Sequence, residues 1–245
     1  MVEENPVRMG TETLAGSPTD HSASDPGKFF AASLGLYTFG SNMAILTALL
    51  FTLPLKIQAL VGSEHEAGAF GLVAAIGAVV AMICSPLGGW LSDRTTSRFG
   101  MRRPWIIAGA IGGALSLQLI AVADSLWLMS TGWILAQLFS AIAFSAASAT
   151  VADQVPPDRR GLVSGLIGMA SPLAVLAGSV VVNAFSSDTW RFGIPGALLI
   201  ISATVFVVIL RDRRLDQPPA RIELKDFAVT RFFRFFERLM LRGRR

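Results

Sequence analysis

Six long apolar runs limit what this chain can fold into. They cover residues 29–53, 69–91, 105–123, 126–151, 162–183 and 193–210, and none holds an Asp, Glu, Lys or Arg in its interior. A helix of about 20 residues spans the hydrocarbon core of a bilayer. A charge at its centre costs at least about 2.5–3.5 kcal/mol for Arg, Lys or Asp. A soluble core helix of this length would carry charges on its solvent face. The pattern therefore predicts an all-α membrane protein with six transmembrane helices. Composition agrees: 16% of residues are charged, against about 25% in soluble domains.

The segments between the runs set an orientation. With six crossings, both tails and the even-numbered loops share one side. That side holds 19 of the 21 Lys and Arg residues, and the other side holds only Lys56 and Arg191. The positive-inside rule then places both termini in the cytoplasm and the chain in the cytoplasmic membrane as a multi-pass protein. The net charge of +4 thus points to an anionic bilayer surface as partner rather than nucleic acid.

Three regions follow. Residues 1–28 are rich in Ser, Thr, Pro, Gly and acids, lack the pattern of a signal peptide, and read as a disordered cytoplasmic tail. Residues 29–210 form the bundle. Residues 211–245 form a basic cytoplasmic tail. Within it, Arg231, Arg234, Arg238 and Arg242 share a helix face across from Phe232, Phe236, Leu239 and Met240, which predicts an amphipathic helix over 227–242 lying on the inner leaflet.

Small residues recur at four-residue steps: Gly77, Ala81, Ser85 and Gly89 in the second run, Gly109 and Gly113 in the third, Gly161 and Gly165 in the fifth. Such rows let helix backbones approach closely. Pro54 is placed where the first span ends, and Pro172 falls inside the fifth. Cys84, the single cysteine, reads as a packing residue. His21 and His65 have no metal-ligand company, so no metal or cofactor is expected. There is no nucleophile motif, metal set or phosphate loop, and no enzyme is expected.

The most specific stretch lies between the second and third runs: Gly88-Gly89-Trp90-Leu91-Ser92-Asp93-Arg94-Thr95-Thr96-Ser97-Arg98-Phe99-Gly100-Met101-Arg102-Arg103-Pro104. Asp93 ends a helix beside four arginines, where its carboxylate can accept charge-assisted bonds or face the positive N-terminus of another helix. Gly89 permits close helix approach and Gly100 a tight turn. This stretch resembles the signature loop of the major facilitator superfamily. More narrowly, it is similar to the branch of sucrose–proton symporters and glycoside–pentoside–hexuronide carriers. A second stretch, Ala152-Asp153-Gln154-Val155-Pro156-Pro157-Asp158-Arg159-Arg160-Gly161, resembles another loop of that family and falls at the expected place.

The resemblance covers about residues 29–210. It implies one half of a twelve-helix major-facilitator fold, built as two inverted three-helix repeats. It also implies a secondary transporter, or half of one, that moves a small neutral solute by alternating access. Gly89, Asp93, Arg94, Arg98, Gly100, Arg102 and Arg103 would form a conformational latch, with Asp153, Arg160 and Gly161 as the second loop motif. The chain departs from the family at three places. Gln137 stands where proton antiporters carry an arginine, Ser148 where sucrose-type carriers do, and only Pro172 survives of the antiporter motif in the fifth span. These departures argue against drug–proton antiport and put sugar specificity in doubt.

With no charge at depth, a solute cavity has to use neutral groups, and the candidates are Tyr37, Asn42, Gln118, Gln137 and Ser148. The same groups could instead bond helix to helix. No titratable group lies at depth, so ion coupling would reside in a partner, or the chain acts as a uniporter. A second six-helix half is the expected partner, as a second copy or a separate chain. A truncated or regulatory membrane protein without transport of its own is the alternative.

Overall fold

The computed structural model describes residues 28–155, 160–210 and 212, all helix or short connection. The terminal tail, most of the basic tail and its amphipathic stretch lie outside the described residues. Helix α1 (Lys28–Thr47) passes through a π-helical turn (Ala48–Thr52) into α2 (Leu53–Val61). Then follow α3 (Glu66–Asp93), α4 (Arg103–Val122), α5 (Leu126–Gln154), α6 (Arg160–Ala184) and α7 (Asp188–Ile209). With α1, the π turn and α2 counted as one span, six helices among the described residues are long and apolar enough to cross a membrane.

Local chemistry marks the ends. Gly62 closes α2 at φ 79, with its N–H on the Gln58 carbonyl, a conformation open to glycine. Pro104 lies in the first turn of α4, where its missing N–H costs nothing. The Ser125 side chain caps α5 by accepting from the Leu128 N–H. One boundary differs from expectation. Pro54 does not end the first span, which runs on to Val61. The π turn immediately before Pro54 absorbs the break in the hydrogen-bond ladder that a proline imposes.

Packing follows the order α6, α1, α7, α4, α5, α3, each helix lying against the next. Exchanging α1 with α5, α3 with α6 and α4 with α7 maps this order onto itself. Each exchanged pair runs in opposite directions, because successive spans are antiparallel. This is the symmetry of two inverted three-helix repeats, and the described residues, all helix or short connection, form one half of the twelve-helix fold inferred from the sequence.

Lipid tails are as apolar as the helices, so packing rather than hydrophobic burial holds the bundle together. The glycines mark where backbones meet. A Cβ on Gly88 would stand 2.7 Å from the Ile142 Cα, and one on Gly109 would stand 2.7 Å from the Phe139 carbonyl oxygen. These contacts join α5 to α3 and to α4. Gly77 lies against the indole of the fully buried Trp133, and Gly178 of α6 against Thr47. The buried row of α3 is Val73, Gly77, Cys84, Gly88 and Ser92, so Ser85 is exposed and Gly88 rather than Gly89 makes the closest approach. Gly161 and Gly165 have open space where a side chain would stand, so the close-packing glycine of α6 is Gly178.

Candidate functional site

The densest charge chemistry lies at the end of the bundle where α3 and α5 finish and α4 begins. Asp93 is the last residue of α3, and Arg102 immediately precedes α4. The Arg102 guanidinium is almost fully buried and reaches two carboxylates. Its Nη2 donates to Asp93 Oδ1 at 3.2 Å, and its Nη1 pairs with Asp153 Oδ2 at 2.8 Å. Asp153 sits near the end of α5, so one side chain joins the two motifs that the sequence separates by about 50 residues.

A third acid completes the knot from beyond α7. Asp212 Oδ2 accepts the backbone N–H groups of Arg102 at 2.7 Å and Arg103 at 2.9 Å. A carboxylate there satisfies open donors at a helix N-terminus and faces the positive end of its dipole. The Arg103 guanidinium donates in turn to the Leu210 carbonyl past the end of α7, a favourable place for a cation. Gly100 makes this possible. Its φ is 108, and a Cβ there would overlap the Asp212 carboxylate.

The other signature residues fill the surroundings. Arg94 lies 4.8 Å over the Trp90 ring, and the Trp105 indole donates to Thr95 Oγ1 at 2.7 Å. Arg98 is exposed at the loop tip. Gly89 stands beside Ser145, where a Cβ would lie 3.2 Å from its Oγ. Arg160 donates from Nε to the Val155 carbonyl at 3.1 Å, back across the second loop, and Gly161 follows it in the first turn of α6. The expected pairing of Asp93 with a guanidinium is thus with Arg102. The helix N-terminus is served by Asp212, which lies outside both motif stretches. The signal for it was a lone acid between Arg211 and Arg213.

The five neutral candidates have different surroundings. Tyr37 is fully buried, its ring stacked on Phe206 at 5.5 Å between α1 and α7. Asn42 donates to Ser171 Oγ at 2.9 Å, tying α1 to α6. Gln118 of α4 is half-buried beside Gly193 of α7. Ser148 is exposed and donates to the Ser145 carbonyl of its own helix. Gln137 is half-buried on α5, which touches α1, so Asn42 and Gln137 are amides on the two helices exchanged by the internal symmetry.

The opposite end holds a smaller cluster that sequence reasoning also missed. Lys56 Nζ donates to the Ala121 carbonyl and to Asp188 Oδ2, both at 2.9 Å, and Arg191 lies 4.0 Å from the other Asp188 oxygen. Among the described residues, Lys56 and Arg191 are the two basic residues at that end.

The family model described as Major Facilitator Superfamily matches residues 29–242. The class B tetracycline resistance protein of Escherichia coli is 32% identical over 129 residues, 53% of this chain and 31% of that protein. The class G tetracycline resistance protein of Vibrio anguillarum is 28% identical over 60% of this chain and 36% of its own length. Human solute carrier family 45 member 3 is 37% identical over 87 residues, 36% of this chain and 15% of that protein. The match therefore spans about a third of the length of the tetracycline resistance relatives.

Proposed function

The chain belongs to the major facilitator superfamily, and from that premise we propose that it is one half of a secondary carrier that moves a small solute by alternating access. The observation that carries this reading is the Asp93–Arg102–Asp153 knot. Its partners come from the ends of three spans, and the Asp93 limb is more than half exposed while Arg102 is buried. An exposed ion pair is worth at most about 1 kcal/mol. Asp93 can therefore leave Arg102 at little cost, while Asp153 keeps the guanidinium paired. That is the behaviour required of a latch that forms in one conformation and breaks in another. In this reading both termini lie in the cytoplasm, and the latch is on that face.

Asn42 and Gln137 supply the neutral hydrogen-bonding groups for the solute, and the absence of charge inside the six runs favours an uncharged one. The narrower likeness to sugar carriers rests on the signature loop alone. A second cargo reading follows from the relatives, whose names carry tetracycline resistance: a resistance-type carrier for a tetracycline-like molecule. Proteoliposome flux of labelled tetracycline against a panel of neutral sugars separates the two. For either cargo, Asp93→Asn is expected to lower flux at least tenfold with insertion and fold intact. Unchanged flux refutes the latch. No flux from the chain with any cargo favours a membrane protein that does not transport by itself.

A further inference from the structure

The first span is one rod in outline, but its bonding changes register at the π turn, where the Leu53 N–H donates to the Ala48 carbonyl five places back. At the joint, Pro54 offers no N–H, so the Leu50 carbonyl loses the donor that an ordinary residue four places on would supply. The Thr52 hydroxyl sits 3.4 Å from both the Thr47 and Ala48 carbonyls, the outer limit of a hydrogen bond. The Thr47 hydroxyl is buried with no partner. The two sides of this turn also have different neighbours. Helix α1 packs along α6 and α7, whereas α2 lies mainly against α3 and lightly against α5.

Helix α2 has nine residues and buries only Leu53 and Ile57, and a helix that short is not self-supporting. Its principal polar tie is Lys56, whose side chain is 13% exposed and whose ammonium joins the carboxyl end of α4, at Ala121, to the amino end of α7, at Asp188. Both contacts are favourable to the helix dipoles. A cation so enclosed does not stay in place without its partners.

We propose that the first span is a jointed element, in which Lys56 fastens α2 to the ends of α4 and α7 while the π turn Ala48–Thr52 mechanically uncouples α2 from α1. Displacement of α1 against α6 and α7 is then taken up as a change of angle at the turn, while α2 keeps its packing on α3 and its Lys56 contacts with Ala121 and Asp188. This inference is independent of the cargo.

Amide hydrogen exchange of the full chain in lipid nanodiscs tests it. Lys56→Gln and Asp188→Asn are each expected to raise exchange across residues 53–61 at least tenfold, with less than a twofold change over 34–47. Lys56→Arg should behave as wild type. Adding Pro54→Ala to Lys56→Gln restores the missing donor, and the response should then spread into 34–47. Exchange that stays unchanged in 53–61, or that rises equally on both sides of the turn in the single variants, overturns the proposal. A response that stays confined to 53–61 in the Pro54→Ala, Lys56→Gln chain overturns the role of the turn. If Lys56→Gln does not fold, Asp188→Asn, at a more exposed position, gives the same two readouts.

Discussion

Arg102→Gln is the substitution whose cost the geometry apportions most sharply. The guanidinium is 7% exposed, and its two carboxylates differ: Asp93 is 57% exposed at 3.2 Å and Asp153 is 31% exposed at 2.8 Å. An exposed ion pair contributes about 0.2–1 kcal/mol, so the Asp93 limb is assigned less than about 1 kcal/mol. The Asp153 limb is an ion pair at 2.8 Å without hydrogen-bond alignment; its shorter separation and deeper burial leave it less screened than the Asp93 limb, at about 1–2 kcal/mol. The backbone bond from Arg102 to Asp212 survives the change. Arg102→Gln is therefore expected to cost about 2–3 kcal/mol, Asp153→Asn about 1–2, and Asp93→Asn under about 1.

Unfolding in mixed micelles of dodecyl sulfate and a mild detergent, followed by far-ultraviolet circular dichroism, reads these differences. Double-mutant cycles then isolate each limb. In 1 M salt the screening length falls to about 3 Å, so the Asp93 coupling should vanish while most of the Asp153 coupling remains. The reasoning is refuted if the Asp93 coupling equals or exceeds that of Asp153. It is also refuted if Arg102→Gln leaves stability within about 0.5 kcal/mol of wild type, the scatter of an uninvolved surface change.

Three further outcomes are expected. Gly100→Ala combines a backbone at φ 108 with displacement of the Asp212 cap; each part costs about 1–2 kcal/mol, and the same unfolding assay should record about 2–4 kcal/mol. Gly88→Val forces α3 away from the Ile142 backbone and should cost about 1–3 kcal/mol or more, with Gly89→Val costing less, since its neighbour is a movable Ser145 hydroxyl. Asn42→Ala removes one bond between α1 and α6 and should cost only about 0.6 kcal/mol, at most about 1.7, as measured for such bonds in membranes.

The spans were legible because hydropathy is local and additive: about 20 consecutive apolar residues announce a crossing whatever they later touch. The signature loop was legible for a related reason, since Asp93, Gly100 and Arg102 lie within ten residues of one another and the Asp93–Arg102 pair closes inside that stretch. The close-packing glycine was not. Gly88 and Gly89 are adjacent in sequence but about 100° apart around a helix, and which of them meets the α5 backbone depends on how the two rods are rotated. Tyr37 and Ser148 were likewise sorted by rotation, one into the α1–α7 contact and the other to the surface.

The charged residues show the boundary most plainly. Apolar length and the distribution of arginines were enough to establish a six-helix membrane bundle, and the spacing around Asp93 was enough to point to the family. Whether the first span could continue past Pro54 to a lysine depended on Asp188, 132 residues away, and on the Ala121 carbonyl. How the signature loop closes depended on Asp212, 110 residues from the amide it caps. A charge near lipid is tolerated only when paired, and pairing is a property of distance in space, which hydropathy along the chain does not encode.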